Sequence, residues 1–348
     1  MKVINEESKA KMTNDLNRHT RTLKKLNAFN FNFADKIKIM NSSLQLIYTF
    51  LKGMAMGAAD IVPGVSGGTI AFISGIYDRL LGAINSVKLT VLKTLRTQGI
   101  AAAWKEIDAT FLVVLLGGML TSIVLLSKPI KFALVNHPVL LWSFFFGLVL
   151  ASIWLVGRQV KNYNIITILL FVLGAGVAFW ITTLETLQGS DNLGYIFFAG
   201  ALAICAMILP GVSGAFILLI LGVYQIVINA IHDRDLKIIT TFGVGCVVGL
   251  LTFSRVLKWL LNSFRAQTLA VLTGFLLGSL NKIWPWKNQF GDAPLYTHSD
   301  GREEWIMKPV LPENFNGEPQ IAIALGLFVL GMIIIVVMSR FEKKETEA

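Results

Sequence analysis

Between Leu44 and Met338 the sequence passes through ten apolar stretches joined by polar links, and this pattern restricts the fold more than any other feature. Only 15% of the 348 residues are charged, against about 25% in soluble domains, and 54% are hydrophobic. In a hydrocarbon core every backbone donor and acceptor must be bonded within the protein, which leaves α-helices or a closed β-barrel. The stretches are far longer than the ~10-residue alternating segments of barrel strands. The sequence therefore predicts an all-α, polytopic integral membrane protein.

One motif occurs twice. Pro63-Gly64-Val65-Ser66-Gly67 returns 147 residues later as Pro210-Gly211-Val212-Ser213-Gly214, and Gly75 and Tyr77 return as Gly222 and Tyr224. Such a period signals an internal duplication. It divides the ten stretches into five and five, each set a two-segment hairpin followed by three spanning helices. The stretch 64–77 reaches about 21 Å at ~1.5 Å per residue, short of the ~30 Å hydrocarbon core, so each hairpin is expected to be re-entrant and broken at its Pro-Gly. Each unit then crosses an odd number of times, and the second is expected to lie upside down, as in the inverted repeats of secondary transporters. The expected boundaries are a polar cytoplasmic tail over 1–43, repeat 1 over 44–184 with an inner loop at 78–109, repeat 2 over 185–338 with an outer loop at 282–319, and a cytoplasmic tail over 339–348.

Loop charges agree with this topology. With the amino terminus inside, the inner regions hold 22 Lys and Arg and the outer ones 8, or 13 against 8 without the tail. The net charge of +10 thus follows from orientation and does not require nucleic acid. Cys205 and Cys246 lie in apolar stretches and predict neither a disulfide nor a metal site. The first 43 residues lack the apolar core of a cleavable signal; their end, Phe29 to Met40, reads equally as an interfacial segment or a solvated linker. Ile84, Val87, Val91 and Leu95, interleaved with Lys88, Lys93 and Arg96, predict an in-plane helix against anionic lipids. The outer loop, with Trp284, Trp286 and Trp305, is expected to be irregular and anchored by its rings.

The doubled motif carries the chemistry. A Pro-Gly pair followed by Ser-Gly-Gly-Thr ends one helix and starts another, with Ser66 placed to cap it and Gly67 and Gly68 allowing close backbone approach. N–H groups at a helix start attract anions and need a partner at membrane depth. Two facing tips make Pro63, Gly64, Ser66, Gly67, Gly68 and Thr69, with Pro210, Gly211, Ser213 and Gly214, a candidate anion site. The plainer reading makes each Pro-Gly a mere hairpin turn; the duplication and the polar residues at membrane depth favour the anion site. Lys52 and Asp60 are ionisable residues in the first hairpin arm, where such groups are costly. Lys52 is a candidate ligand for the anion or a snorkelling anchor, and Asp60 a candidate carrier of a coupling proton or a cap. Met207 stands opposite Asp60, so any such role is asymmetric. Arg79 beside Asp78, and Arg255 with Lys258, are candidates for a basic vestibule, each singly an ordinary interfacial anchor.

Met56-Gly57-Ala58-Ala59-Asp60-Ile61-Val62-Pro63-Gly64-Val65-Ser66-Gly67-Gly68-Thr69, paired with Leu209-Pro210-Gly211-Val212-Ser213-Gly214-Ala215, resembles the bacterial polyprenyl-phosphate transporter family. The resemblance covers 44–338 and implies return of undecaprenyl phosphate, the carrier lipid of cell-wall synthesis, from the outer to the inner leaflet of the cytoplasmic membrane. It implies no cofactor, and coupling to the proton motive force stays open. A transporter of a small soluble anion would use the same tips. Gly64-Val65-Ser66-Gly67 also matches the Gly-x-Ser-Gly of rhomboid-type serine proteases. However, His19, His137, His232 and His298 fall in the tail, loops or segment ends, and Lys52 lies ~15 Å or more from Ser66 by helix rise. The expectation is a transporter, not an enzyme.

Overall fold

The computed structural model describes residues 43–347, apart from 63, 161–162, 185, 292–295 and 298–302. Pro63, the segment Phe29 to Met40 and nearly all of the expected tail 1–43 lie outside the described residues. The chain's main compact unit begins at Phe50, within helix α1 (43–60); of the preceding unit only 43–49, the first turns of that helix, are described.

Every expected apolar stretch carries helix. The first half has α1, α2 (Gly67–Ile73), α3 (Tyr77–Ser86), α4 (Leu89–Gln98), α5 (Ile100–Glu106), α6 (Ala109–Asn136), α7 (Pro138–Gly157) and α8 (Ile165–Thr183). The second has α9 (Leu193–Ile208), α10 (Gly214–Ile220), α11 (Tyr224–Asp233), α12 (Leu236–Ser263), α13 (Arg265–Ile283) and α14 (Ile321–Glu347). Five of these, α6, α7, α8, α12 and α14, are long and apolar enough to cross a membrane alone, and α10 with α11 qualifies only as a pair bent by 103°. The protein is polytopic and mostly helical. Leu169, Val172 and Trp180 on α8, with Val244, Val247 and Val248 on α12, stay exposed, a surface suited to lipid and not to water.

The stretch 211–231 is therefore not one straight segment. α10 ends after seven residues, about 10 Å of rise. Gly222 takes a left-handed φ of 66°, its N–H bonds Leu219 O at 2.9 Å, and the next N–H, of Val223, bonds Leu218 O at 2.9 Å. This double bond closes a helix end around a glycine that no L-residue replaces cheaply. The first half ends α2 in the same way: Gly75 has φ 72°, with bonds Gly75 N–H to Phe72 O and Ile76 N–H to Ala71 O. The recurrent Gly75 and Gly222 are thus two copies of one helix stop.

The long helices repeat their geometry too. His137 joins α6 to α7 with φ −138° and ψ 51°, and Phe264 joins α12 to α13 with φ −136° and ψ 50°. Gly147 of α7 faces the carbonyl of Phe328 on α14, while Gly274 of α13 faces that of Phe171 on α8. Gly118 of α6 faces Phe50 of α1, and Gly245 of α12 faces Phe197 of α9. Each half thus lends a helix to the other, α14 against α7 and α8 against α13, with backbones in the close approach that small residues permit in membranes. The central pair, α7 and α13, carries much of the core, including Val156, Leu269, Leu272 and Leu276.

Two expectations change, and a third gains detail. The single in-plane helix of the 78–109 loop is three short helices: Val87, with ψ 88°, closes α3, and Gly99, with φ 85°, separates α4 from α5. α14 continues to Glu347, so the span expected as a cytoplasmic tail is helical to that residue. The outer loop is not irregular: β1 (Lys287–Phe290) pairs antiparallel with β4 (Ile306–Pro309), and the short β2 (Tyr296–Thr297) pairs with β3 (Glu303–Glu304). The Trp284 and Trp286 indoles donate to Val310 O at 2.8 Å and Pro319 O at 2.9 Å, so these rings hold the loop's fold together.

A methyl group at Gly147 or Gly274 would lie inside van der Waals contact with the facing carbonyl, whereas one at Gly176 of α8 meets nothing within 4 Å. Gly147→Val and Gly274→Val are each expected to destabilise the protein by about 3 kcal/mol or more. Gly176→Ala should be neutral or stabilising by up to ~1 kcal/mol. Thermal unfolding in detergent checks all three.

Candidate functional site

The last turn of α9 leaves carbonyls that its own helix cannot bond. Donors come from the first hairpin. The Ser66 hydroxyl donates to Met207 O at 3.0 Å, and the Tyr77 hydroxyl donates to Ile208 O at 3.1 Å. In return the Gly211 N–H donates to Thr69 Oγ1 at 2.9 Å. Ser66, Thr69 and Tyr77 are all buried, so these bonds are shielded from water. A methyl at Gly68 would sit 2.7 Å from the carbonyl oxygens of both Met207 and Ile208; close approach of the two hairpins is what this glycine supplies.

The two tips differ in charge. Asp60, the last residue of α1, folds back across its turn so that Oδ1 accepts the Gly67 N–H at 2.6 Å, and Ser66 Oγ accepts the Gly68 N–H at 3.1 Å. The start of α2 is thus already occupied by the chain's own carboxylate, whose Oδ2 is buried without a hydrogen-bond partner. At the second tip Met207 replaces the acid. Ser213 caps α10 in position, yet its hydroxyl makes no hydrogen bond among the described residues. Gly64 and Gly211 turn the two tips with φ 87° and 86°.

Between the tips lies a space of about 10 Å³, lined by Gly64, Gly211, Ser213, Phe216, Ser279 and Lys282 among others. Its cation is Lys282. The aliphatic stem of Lys282 lies against Gly64 of the first tip, and its ammonium sits 4.1 Å from the centroid of Phe216 in α10. Sequence reasoning assigned Lys282 to the outer loop; α13 in fact runs to Ile283. The available signal was its i+3 spacing from Ser279, which puts both on one helix face.

A family model described as undecaprenyl phosphate translocase-like matches residues 56–298. A polyprenyl-phosphate transporter of Vibrio cholerae is 43% identical over 87% of this chain and 99% of its own length. The chain belongs to the undecaprenyl phosphate translocase-like family. A polyprenyl-phosphate transporter of Staphylococcus aureus is 32% identical over 68% of this chain and 85% of its own length. No solved structure matches the chain.

The span matched by the family model contains both tips, Asp60 and Lys282, while Lys52 precedes it. Lys52 is half-buried on α1, eight residues before Asp60, or ~12 Å along the helix. The residues expected to form a basic vestibule each have defined neighbours. Arg79 makes a two-point ion pair with Asp108, at 2.7 and 3.1 Å, and lies 4.3 Å from the Phe111 ring centroid. Asp78 pairs with Arg265 at 3.1 Å. Arg255 and Lys258 line an open groove of about 440 Å³ with Lys88 and Trp259.

Five residues beyond Lys282, Lys287 of β1 donates its ammonium to Lys282 O at 2.7 Å and lies 3.9 Å from the Trp142 ring centroid. Burial first, and the nearby charge of Lys282 second, push its pKa down from the ordinary 10.5 to about 7.

Two outcomes follow from these bonds. Asp60→Ala, which strips the cap from α2, is expected to cost about 1–2 kcal/mol, and Asp60→Asn, which keeps an acceptor for Gly67, less than half of that, by thermal unfolding in detergent. For Lys287 the folded-state pKa lies below that of the unfolded chain, so stability rises with pH through its window, as it does for a paired carboxylate, although here the cause is desolvation of a cation. Below about pH 7 it is charged in both folded and unfolded chains, and its desolvation fully opposes folding. Between about 7 and 10.5 only the unfolded chain holds the proton, so this residue's contribution to stability improves with rising pH. The unfolding temperature of Lys287→Met minus that of wild type should therefore fall as the pH is raised through that window; a flat difference would contradict the burial of the ammonium.

Proposed function

We propose that this chain returns undecaprenyl phosphate from the outer to the inner leaflet of the bacterial cytoplasmic membrane, holding the phosphate between the two hairpin tips. The observation that carries the reading is Lys282, a cation that touches both tips beside a helix start with no carboxylate of its own. A phosphate headgroup meets a prohibitive desolvation cost in hydrocarbon, whereas a polyprenyl tail is at home there. A carrier for such a lipid needs a polar cradle inside and an open side toward the bilayer.

In this reading Ser213, Lys282 and the first N–H groups of α10 hold the phosphate. Ser66, Thr69 and Tyr77 position the second tip and bind nothing themselves. The 10 Å³ space admits about one water, so the described arrangement is closed and the tips must part to load. The matched helix stops, junctions and glycine contacts support two inverted repeats with re-entrant hairpins, and rocking of one repeat on the other supplies alternating access with both termini in the cytoplasm. Asp60, anchored at the tip that carries no ligand, is the group placed to take up a coupling proton. The Ser66 hydroxyl is directed at backbone carbonyls and not at a base, which favours transport over hydrolysis.

The test is flipping of fluorescent undecaprenyl phosphate in proteoliposomes, with released phosphate and uptake of inorganic phosphate followed in parallel. Loss of one hydrogen bond in Ser213→Ala should slow flipping about tenfold, and loss of the charge in Lys282→Met about a hundredfold. Wild-type rates in both variants would remove the site from the tips; uptake of inorganic phosphate without flipping would make the substrate a soluble anion.

A further inference from the structure

The folded outer loop forms one wall of a second, open-sided cavity, of about 310 Å³, between the first turn of α7 and the β1–β4 ladder. That volume lies within the range of ~300–1,000 Å³ typical of ligand sites. Its walls divide by chemistry. Lys287, Gln289 and Asn316 supply a cation and two side-chain amides, and Val139, Trp142 and Phe315 supply an apolar face. No Asp or Glu lines it among the described residues.

We propose that this cavity is a docking site for a phosphate monoester on an apolar chain, with Lys287 as its anion ligand, occupied before the headgroup reaches the tips. The placement of Lys287 argues for this. Its ammonium is held over the Trp142 ring and bonded to the backbone carbonyl of Lys282, the residue whose side chain reaches the tips. Among the described residues the ammonium has one carbonyl and one ring face as partners, which leaves donor capacity for an anion. The β-ladder fixes the position: Asn288 Nδ2 donates to Asn314 O at 2.8 Å, and Asn288 Oδ1 accepts the Asn316 N–H at 2.9 Å, which close the strap that carries Phe315 and Asn316 over the cavity. The apolar wall distinguishes the expected ligand from free phosphate, for which Val139, Trp142 and Phe315 provide nothing.

This site rests on the tip reading for its place in the transport cycle, but not for its existence. The test is calorimetric titration of the full-length protein in detergent with farnesyl phosphate, farnesol and inorganic phosphate. It uses wild type, Lys282→Met, Lys287→Met and Val139→Trp, the last filling the cavity while keeping the charge. Farnesyl phosphate is expected to bind Lys282→Met with the outer site intact, and Lys287→Met and Val139→Trp in that background should each weaken this binding about tenfold or more. Inorganic phosphate should bind more weakly than farnesyl phosphate at the same site. Equal binding of farnesol, or binding unchanged by both Lys287→Met and Val139→Trp, would overturn the proposal. If Lys282→Met flips lipid like wild type while Lys287→Met still loses binding, the tip reading fails and the outer site stands.

Discussion

The end of α9 sets the central constraint of this structure. A helix that stops inside a membrane exposes carbonyls that lipid cannot bond, and each one left without a donor costs several kcal/mol. Met207 and Ile208 resolve this by taking hydroxyl donors from Ser66 and Tyr77 of the other half of the chain. Ending α9 in the buried interior thus ties the two hairpins together. Gly68, Thr69 and Gly211 then complete a contact whose partners are some 140 residues apart in sequence.

Around that contact the two halves share a frame and differ in charge. Helix stops at Gly75 and Gly222, junctions at His137 and Phe264, and reciprocal glycine contacts give matched scaffolds. The difference lies in one pair of positions. Asp60 fills the start of α2 with a carboxylate, whereas Met207 brings none to α10, and Lys282 stands on that second side. A duplicated scaffold whose two tips carried the same charge would hold an anion equally at both. Here the electrostatics give the space between them a direction.

Much of this was legible in the sequence. The apolar stretches located the helices, and the doubled motif identified the two tips, because chain breaks at membrane depth demand Pro, Gly and Ser in fixed order. Gly75 and Gly222 were visible as an echo, but their role as helix stops was not, since the bend that follows depends on which N–H groups reach back to Leu218 and Leu219. Ser66 read as a local cap, and it is one; its second bond to Met207 is long-range and leaves no local signature. Arg79 and Arg255 looked alike as basic residues at segment ends, and only the fold pairs the first with Asp108 and leaves the second in a groove. Lys282 was hidden by a boundary error, since α13 outlasts its apolar run by a short polar segment that ends at Ile283.

The clamp that closes the tips also limits how they can open. Parting them leaves the carbonyls of Met207 and Ile208 and the N–H of Gly211 without partners, and in a dry interior a cost of several kcal/mol for each keeps the parted form sparsely populated. A phosphate can accept from Gly211 but gives nothing to the two carbonyls, which need donors. Water supplies them. In the proposed cycle, opening would therefore take hydration from one side along with the headgroup, and a side that stayed dry would stay shut. In the proposed carrier the same hydrogen bonds that hold the two hairpins together would keep the two faces of the membrane from being open at once.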